Sequence, residues 1–349
     1  MSIDALFRQA NALQAAGDFA GAERRYRALL RLKPLWAHHN LGVVYVKTGR
    51  FQQAEQEFRA ALAIDPDAPG PRHSLGMLLL GGGRFEEGWR EYEARRRVPG
   101  LTIPRPQVAC PEWRGEDLTG KHLLVVWEQG LGDQIQFARF LPILAGRGVK
   151  VSFVCQPALI PLFEGMPVDL LPAGSDLPTA DAWPLLCSIP LRLGVTLETI
   201  PAQSGLPLRS TMRGGGGGVG FVARGSHTHT NDRFRSLRGE AAKRLAALGR
   251  DLSPEATGAR NFRDTAEIVA GLDLVISVDT AIAHLAASMG KPTWILIPFV
   301  ETDWRWLRER VDSPWYPSAK LYRQGPAGGW GAVLDRVQAD LAASRAPQA

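Results

Sequence analysis

Residues 272–299 read LDLVISVDTAIAHLAASMGKPTWILIPF, and this stretch decides the fold. Leu274, Val275, Ile276 and Val278 form a short apolar, largely β-branched run, the pattern of a strand buried on both faces. Asp279 and Thr280 follow at a strand-to-helix turn, with Asp279 or Ser277 available as N-cap. The helix runs to about Met289, and Gly290 closes it where a left-handed residue is needed. After Lys291 and Pro292, Thr293 to Ile297 reads as a second buried strand. Strand, helix and strand within 28 residues make a βαβ unit, with parallel strands and a right-handed crossover. Ligands bind such sheets at the carboxyl ends of the strands. Asp279, Thr280 and His284 fall there, beside a helix N-terminus that favours phosphate by roughly 0.3–1 kcal/mol when exposed and about 2 when sheltered. The plainer reading is a capping aspartate and a helix histidine near the core.

Upstream, Val219 to Ala223 reads as a strand that empties into RGSHTHTNDR, residues 224–233, a loop dense in donors. Arg233 and Arg235 are candidates for a two-pronged phosphate clamp. His227 and His229 alternate without a third ligand nearby, so no metal is expected. Glu240 to Leu248 and Thr265 to Gly271 read as helices, while residues 238–263 supply no apolar strand. Gly214 to Gly218, five consecutive glycines, reads as a hinge. Beyond the decisive stretch, Asp303 to Trp306 and Ser313 to Pro317 are aromatic-rich turns, suited to stacking a base or sugar or to clamping a core. Ala332 to Leu341 is a closing helix.

A second α/β region precedes the glycines. Leu123 to Trp127 is strand-like and runs into Glu128-Gln129-Gly130-Leu131-Gly132-Asp133, then into an apolar-periodic helix through Ile135, Phe137, Phe140 and Leu141. Gly130 and Gly132 permit close approach of a ligand, but the dinucleotide fingerprint is incomplete. Val149 to Val154 and Val168 to Leu171 are further strands, with a short helix from Pro157 to Phe163, and Trp183 to Cys187 is a candidate strand. The pattern is an open parallel sheet.

The N-terminal hundred residues differ in kind. Gly49-Arg50-Phe51 recurs 34 residues later as Gly83-Arg84-Phe85 and appears 32 residues earlier as Gly17-Asp18-Phe19. The middle copy reads Leu41-Gly42-x2-Tyr45, then Ala54-x3-Phe58, then Pro66, the tetratricopeptide pattern. Three repeats are expected, forming a groove for a peptide or protein, or a spacer. No polar capping helix follows Arg97, so the third repeat is expected to dock against the next domain. Residues 99–120 hold Pro99, Pro104, Pro106 and Pro111 and read as a connector pinned by Trp113.

The 349-residue composition, 45% hydrophobic and 22% charged, is that of a soluble globular protein. The net charge of +6 is scattered, which disfavours nucleic acid and suits an anionic small ligand. Cys110, Cys155 and Cys187 are few and far apart, as for free thiols in a reducing cytoplasm. No leader and no transmembrane segment is legible, so the expected location is cytoplasmic.

Two α/β halves with ligand loops are the arrangement of GT-B glycosyltransferases, and the wording goes further. SVDTAIAHLAA followed by GKP, residues 277–287 and 290–292, resembles the nucleotide-sugar site of the heptosyltransferase family. Gly132-Asp133, opening a helix that reaches Leu141-Pro142, resembles that family's N-terminal loop. With the repeats in front, the chain resembles bacterial tetratricopeptide proteins carrying a glycosyltransferase-like domain, and is similar in layout to O-linked N-acetylglucosamine transferase. The resemblance implies tetratricopeptide repeats over 1–98, the connector over 99–120, an acceptor-side half over 121–212 and a nucleotide-sugar half over 213–349, the last apparently shortened.

It implies metal-independent hexosyl or heptosyl transfer from a nucleotide-sugar, with no further cofactor and with inversion in one step. Asp133 would be the catalytic base. Gly132, Ser226, His229, Asn231, Arg233, Arg235, Asp279, Thr280 and His284 would bind the donor, and the repeats a protein or peptide. The alternative is a catalytically inactive scaffold that binds a partner through the repeats, by way of residues such as Asn40 and Tyr45.

Overall fold

The computed structural model describes residues 2–202, 204–207, 217–229 and 231–345. Of the expected glycine hinge, residues 214–216 lie outside them. The chain forms two compact units, residues 1–102 with 299–308, and residues 103–298 with 309–349.

The first unit is three helix pairs: α1 Ile3–Ala16 and α2 Phe19–Leu29, α3 Pro34–Lys47 and α4 Phe51–Ile64, α5 Pro69–Gly81 and α6 Phe85–Tyr92. Local chemistry sets their ends. Ser2 and Asp18 cap α1 and α2 through their side-chain oxygens, Gly17 turns the chain at φ 86°, and Pro34 and Pro69 open α3 and α5. A methyl on Gly42 would stand 2.4 Å from the Phe58 ring, and one on Gly76 2.5 Å from the Tyr92 nitrogen. These glycines therefore set the close approach within each pair. The core runs through Tyr26, Leu41, Tyr45, Phe58, Leu75 and Leu79. Tyr45 is buried with its hydroxyl accepting from Arg27 at 3.0 Å, so it belongs to the core and not to an open groove face.

The third pair is covered by residues 299–308, which follow the decisive stretch in sequence. Trp304 stands edge-on to Trp89 and Tyr92, with ring centroids 5.3 and 5.9 Å apart. Arg308 donates to the Leu78 carbonyl and lies 4.0 Å over the Phe51 ring, and Lys47 pairs with Glu301. Trp304 and Trp306 are buried, so this aromatic turn is a packing element of the repeat unit and not a stacking platform for a ligand.

The second unit holds two parallel sheets. In the first, β1 His122–Val126, β2 Lys150–Cys155 and β3 Asp169–Pro172 pair in that order. Helices α7 Leu131–Phe137, α8 Leu141–Gly146, α9 Ile160–Phe163 and α10 Ile189–Arg192 accompany it. The strand expected at Trp183 to Cys187 is reduced to isolated bridges at Ala182, Trp183 and Leu185, because residues 186–188 turn into a 3₁₀ helix. Trp113 is buried, donates its indole N–H to the Glu116 carbonyl and ties the connector to Trp183.

The second sheet comprises β4 Val219–Val222, β5 Arg250–Asp251, β6 Leu274–Val278, β7 Thr293–Ile297, β8 Asp312–Ser313 and β9 Tyr316–Arg323, ordered β5-β4-β6-β7-β9-β8. All pairings are parallel except β8 with β9. Its helices are α11 Asp232–Arg235, α12 Gly239–Ala246, α13 Pro254–Thr257, α14 Phe262–Ala270, α15 Ala281–Ser288 and α16 Gly331–Arg345. Two sequence expectations change here. The strand judged absent from residues 238–263 exists as β5, two polar residues at an edge where little apolar surface is needed. The turn Ser313 to Pro317 is instead the entry to β9, with Trp315 and Tyr316 buried. Helical repeats followed by two parallel α/β halves are thus the architecture.

Candidate functional site

The chain leaves β4 for β5 on one side and returns through α14 to β6 on the other. The order of strands therefore reverses between β4 and β6, and sheets of this kind bind ligands outside the carboxyl ends of the strands at such a point. Two segments stand there, residues 223–229 with 231 after β4 and Asp279-Thr280 after β6.

Thr280, not Asp279 or Ser277, is the N-cap of α15. Its backbone is extended and its hydroxyl accepts the Ala283 N–H at 3.4 Å. Ser277 instead donates to the Val278 carbonyl at 2.6 Å and meets the Thr280 hydroxyl at 3.0 Å. Gly290 closes the helix end at φ 74°, as its position requires.

Arg235 ties the two segments together. Its Nη1 donates to the main-chain oxygen of Asp279 at 2.8 Å, and its guanidinium lies against Gly225, where any Cβ would stand 2.5 Å away. Asp232 is 3.9 Å from Arg235 Nε and accepts the Ser236 hydroxyl at 2.5 Å, while Ser236 accepts the Gly225 N–H. Arg235 Nε is buried without a hydrogen-bond acceptor among the described residues. A buried donor in that state costs on the order of 1–3 kcal/mol unless something meets it. Arg233 lies over its neighbour Phe234, 4.5 Å from the ring centroid. Ser226 and His229 are exposed on the loop, and Asn231 is buried at its end.

The first half reaches the same place through α7, which packs on α15. A methyl on Gly132 would stand 2.8 Å from His284 Cδ2 and 3.4 Å from Ala281 Cα. Only a glycine leaves room for the histidine. Asp133 follows, partly exposed, and one carboxylate oxygen accepts the Gly130 N–H at 2.8 Å. Ahead of it Gln129 adopts φ 62°, and the buried Glu128 accepts the Cys187 N–H at 3.0 Å, which anchors the turn.

His284 is buried between these elements. Its Nε2 is 3.7 Å from Asp279 Oδ1 and its Nδ1 is 2.8 Å from the Tyr316 hydroxyl. Behind Tyr316 lies Arg139, fully buried, with Nε on the Gln136 carbonyl at 2.8 Å and Nη1 on the carbonyls of Pro201 and Trp315. Burial pushes Arg139 below its ordinary pKa, opposed by its interaction with the Tyr316 hydroxyl.

The fold thus gathers Gly132, Arg235, Asp279, Thr280 and His284 into one constellation with Asp133 beside it. Ser226, His229, Asn231 and Arg233 lie on its loop. Tyr316, Arg139 and Glu128 escaped sequence reasoning. Glu128 carried a faint signal, as a carboxylate directly before the glycine turn, whereas Tyr316 stood next to a proline and looked like a turn.

Residues 7–69 match the tetratricopeptide repeat family, and residues 234–297 match the family described as glycosyltransferase family 9 (heptosyltransferase). The second match begins in α11 and ends with β7, and so includes Arg235, Asp279, Thr280 and His284. Protein FlbA of Caulobacter vibrioides is 27% identical over an alignment of 388 residues, covering 93% of this chain. The chain spans 64% of that relative's length. Among solved structures, the Escherichia coli heptosyltransferase WaaC with ADP-2-deoxy-2-fluoro heptose is similar at 13% identity and a TM-score of 0.44, covering 64% of this chain and 99% of that one. A Thermobaculum terrenum O-GlcNAc transferase mutant gives 14% identity and a TM-score of 0.25, covering 98% and 92%. The chain therefore joins tetratricopeptide repeats to a glycosyltransferase-like α/β unit.

Proposed function

We propose that this protein transfers a glycosyl group from a nucleotide-diphosphate sugar to a hydroxyl of an acceptor. The observation that carries the reading is the reversal of strand order between β4 and β6, where Arg235 ties the loop after β4 to the main chain of Asp279, and Arg235, Asp279 and Thr280 fall within the glycosyltransferase match. The N–H groups at the start of α15, with Arg233 and the remaining donor of Arg235, suit a diphosphate. The Asp279 carboxylate can only accept, and suits a sugar hydroxyl beside it.

Asp133 is assigned as general base. It takes the proton of the acceptor hydroxyl as that oxygen attacks the anomeric carbon. The bond to the diphosphate breaks, the leaving oxygen keeps the electron pair, and the centre inverts in one step. Cationic and N–H donors stabilise the departing charge in place of a metal ion, so a chelator such as EDTA leaves transfer unchanged. The repeats present the acceptor or a protein partner.

The test is isothermal titration with a panel of nucleoside diphosphates and their sugars, on the wild type and on Arg235→Ala. Micromolar binding, weakened at least tenfold in the variant, is expected. Asp133→Asn should then keep donor affinity and lose transfer. Silence across the whole panel in a folded protein would replace this reading with the scaffold, and repeat partners would become the question.

A further inference from the structure

We propose that Tyr316, backed by Arg139, is a positioning residue that fixes His284 as the Nε2–H tautomer, with that N–H on the side of Asp279. The inference rests on the reading of the ends of β4 and β6 as the donor site. It assigns a role to β9 and to the helical segment after α7, neither of which is part of the matched stretch.

An imidazole between two partners takes the tautomer that its neighbours impose. On the Nδ1 side stands the Tyr316 hydroxyl at 2.8 Å. A phenol can give or receive there, so its other neighbour decides. That neighbour is Arg139, whose guanidinium lies 4.9 Å from the centroid of the Tyr316 ring and has only donors to offer. With a guanidinium beside the phenol, the Tyr316 proton is best placed toward His284, and Nδ1 accepts it.

On the Nε2 side stands Asp279 Oδ1 at 3.7 Å, an acceptor that favours a proton on Nε2. The two flanks agree. The methyl that Gly132 lacks would lie 3.5 Å from Nε2, so this edge of the ring faces the first half of the unit.

A fixed donor at that point costs no reorganisation when negative charge develops on a leaving group, which is the condition for electrostatic stabilisation. With the opposite tautomer, Nε2 would present a lone pair to Asp279 and to any phosphate, and repel both.

The decisive measurement is the long-range ¹H–¹⁵N correlation spectrum of the full-length protein labelled at histidine nitrogen. His284→Gln identifies the His284 signals. The expected result is the Nε2–H pattern for wild-type His284, with Tyr316→Phe moving the ring to a mixture of tautomers. In that variant affinity for nucleoside diphosphates should fall about tenfold while circular dichroism is unchanged. An Nδ1–H pattern in the wild type, or an unchanged His284 spectrum in Tyr316→Phe, would overturn the inference. Should Tyr316→Phe not fold, the wild-type spectrum still decides. If the tautomer is as stated but no nucleotide binds, the proposed function fails and this assignment stands.

Discussion

Gly132 shows how much one residue carries. Gly132→Ala places a carbon 2.8 Å from His284, closer than real Cβ contacts allow, and the ring is held from behind by Tyr316. Neither side yields cheaply, so the variant should lose about 1–3 kcal/mol of stability, read from urea unfolding. Nucleotide affinity should fall with it, by about tenfold or more.

A second prediction at this scale concerns pH. Burial pushes His39 and His73 down to about 4, with Arg95 adding to the effect at His73. Near neutrality both are uncharged in either state and cost nothing. As pH falls below the unfolded value of about 6.5, the unfolded chain takes up protons that the folded repeats refuse, and stability is lost until about pH 4. Each histidine accounts for at most about 3 kcal/mol of that loss. Urea midpoints at pH 7 and pH 4.5 should therefore converge in a His39→Gln/His73→Gln double variant relative to the wild type. Equal pH slopes in the two proteins would contradict the burial argument.

Elements with a strong local period were legible, and elements made by distant partners were not. The repeats announced themselves through Gly42, Tyr45, Ala54 and Phe58 at fixed spacing, and α15 with its flanking strands through an apolar–helical–apolar alternation. β5 carried no signal because two polar edge residues need none. β9 was hidden by Pro317 beside two aromatics, and only its pairing with β7 makes it a strand. The role of residues 299–308 could not be read at all, since Trp304 finds Trp89 and Tyr92 more than two hundred residues away in sequence. Within the site, Asp279, Thr280 and His284 were readable from position alone, whereas their partners Tyr316 and Arg139 required the fold.

That segment makes a sharp prediction. The last pair of a solenoid has one face without a neighbouring repeat, and here Trp304 and Arg308 supply the cover. Trp304→Ala should cost about 3–5 kcal/mol by opening a cavity over Trp89. Hydrogen exchange should rise in α5 and α6 and remain unchanged in β4 and β6. Uniform loss of protection across the chain would mean that the segment does not act as a cap.

At the scale of the whole molecule, two compact units share one chain that crosses between them at three points: near residue 102, after β7 and before β8. The crossings after β7 matter most, because the capping segment is the direct continuation of a strand in the second sheet. A ligand that binds only the folded second unit stabilises it by about 2.7 kcal/mol at a hundredfold excess over its Kd. Were the units joined by a loose tether, that gain would raise one calorimetric transition and leave the other in place. Here the two ends of the cap continue directly into β7 and β8. Unfolding of the second unit should therefore release it and destabilise the repeats. The expected scan shows a nucleoside diphosphate raising both transitions in the wild type. In Trp304→Ala, where the cap no longer contributes, only the transition of the second unit should move. Two transitions shifting together in that variant as well would locate the coupling elsewhere than in residues 299–308.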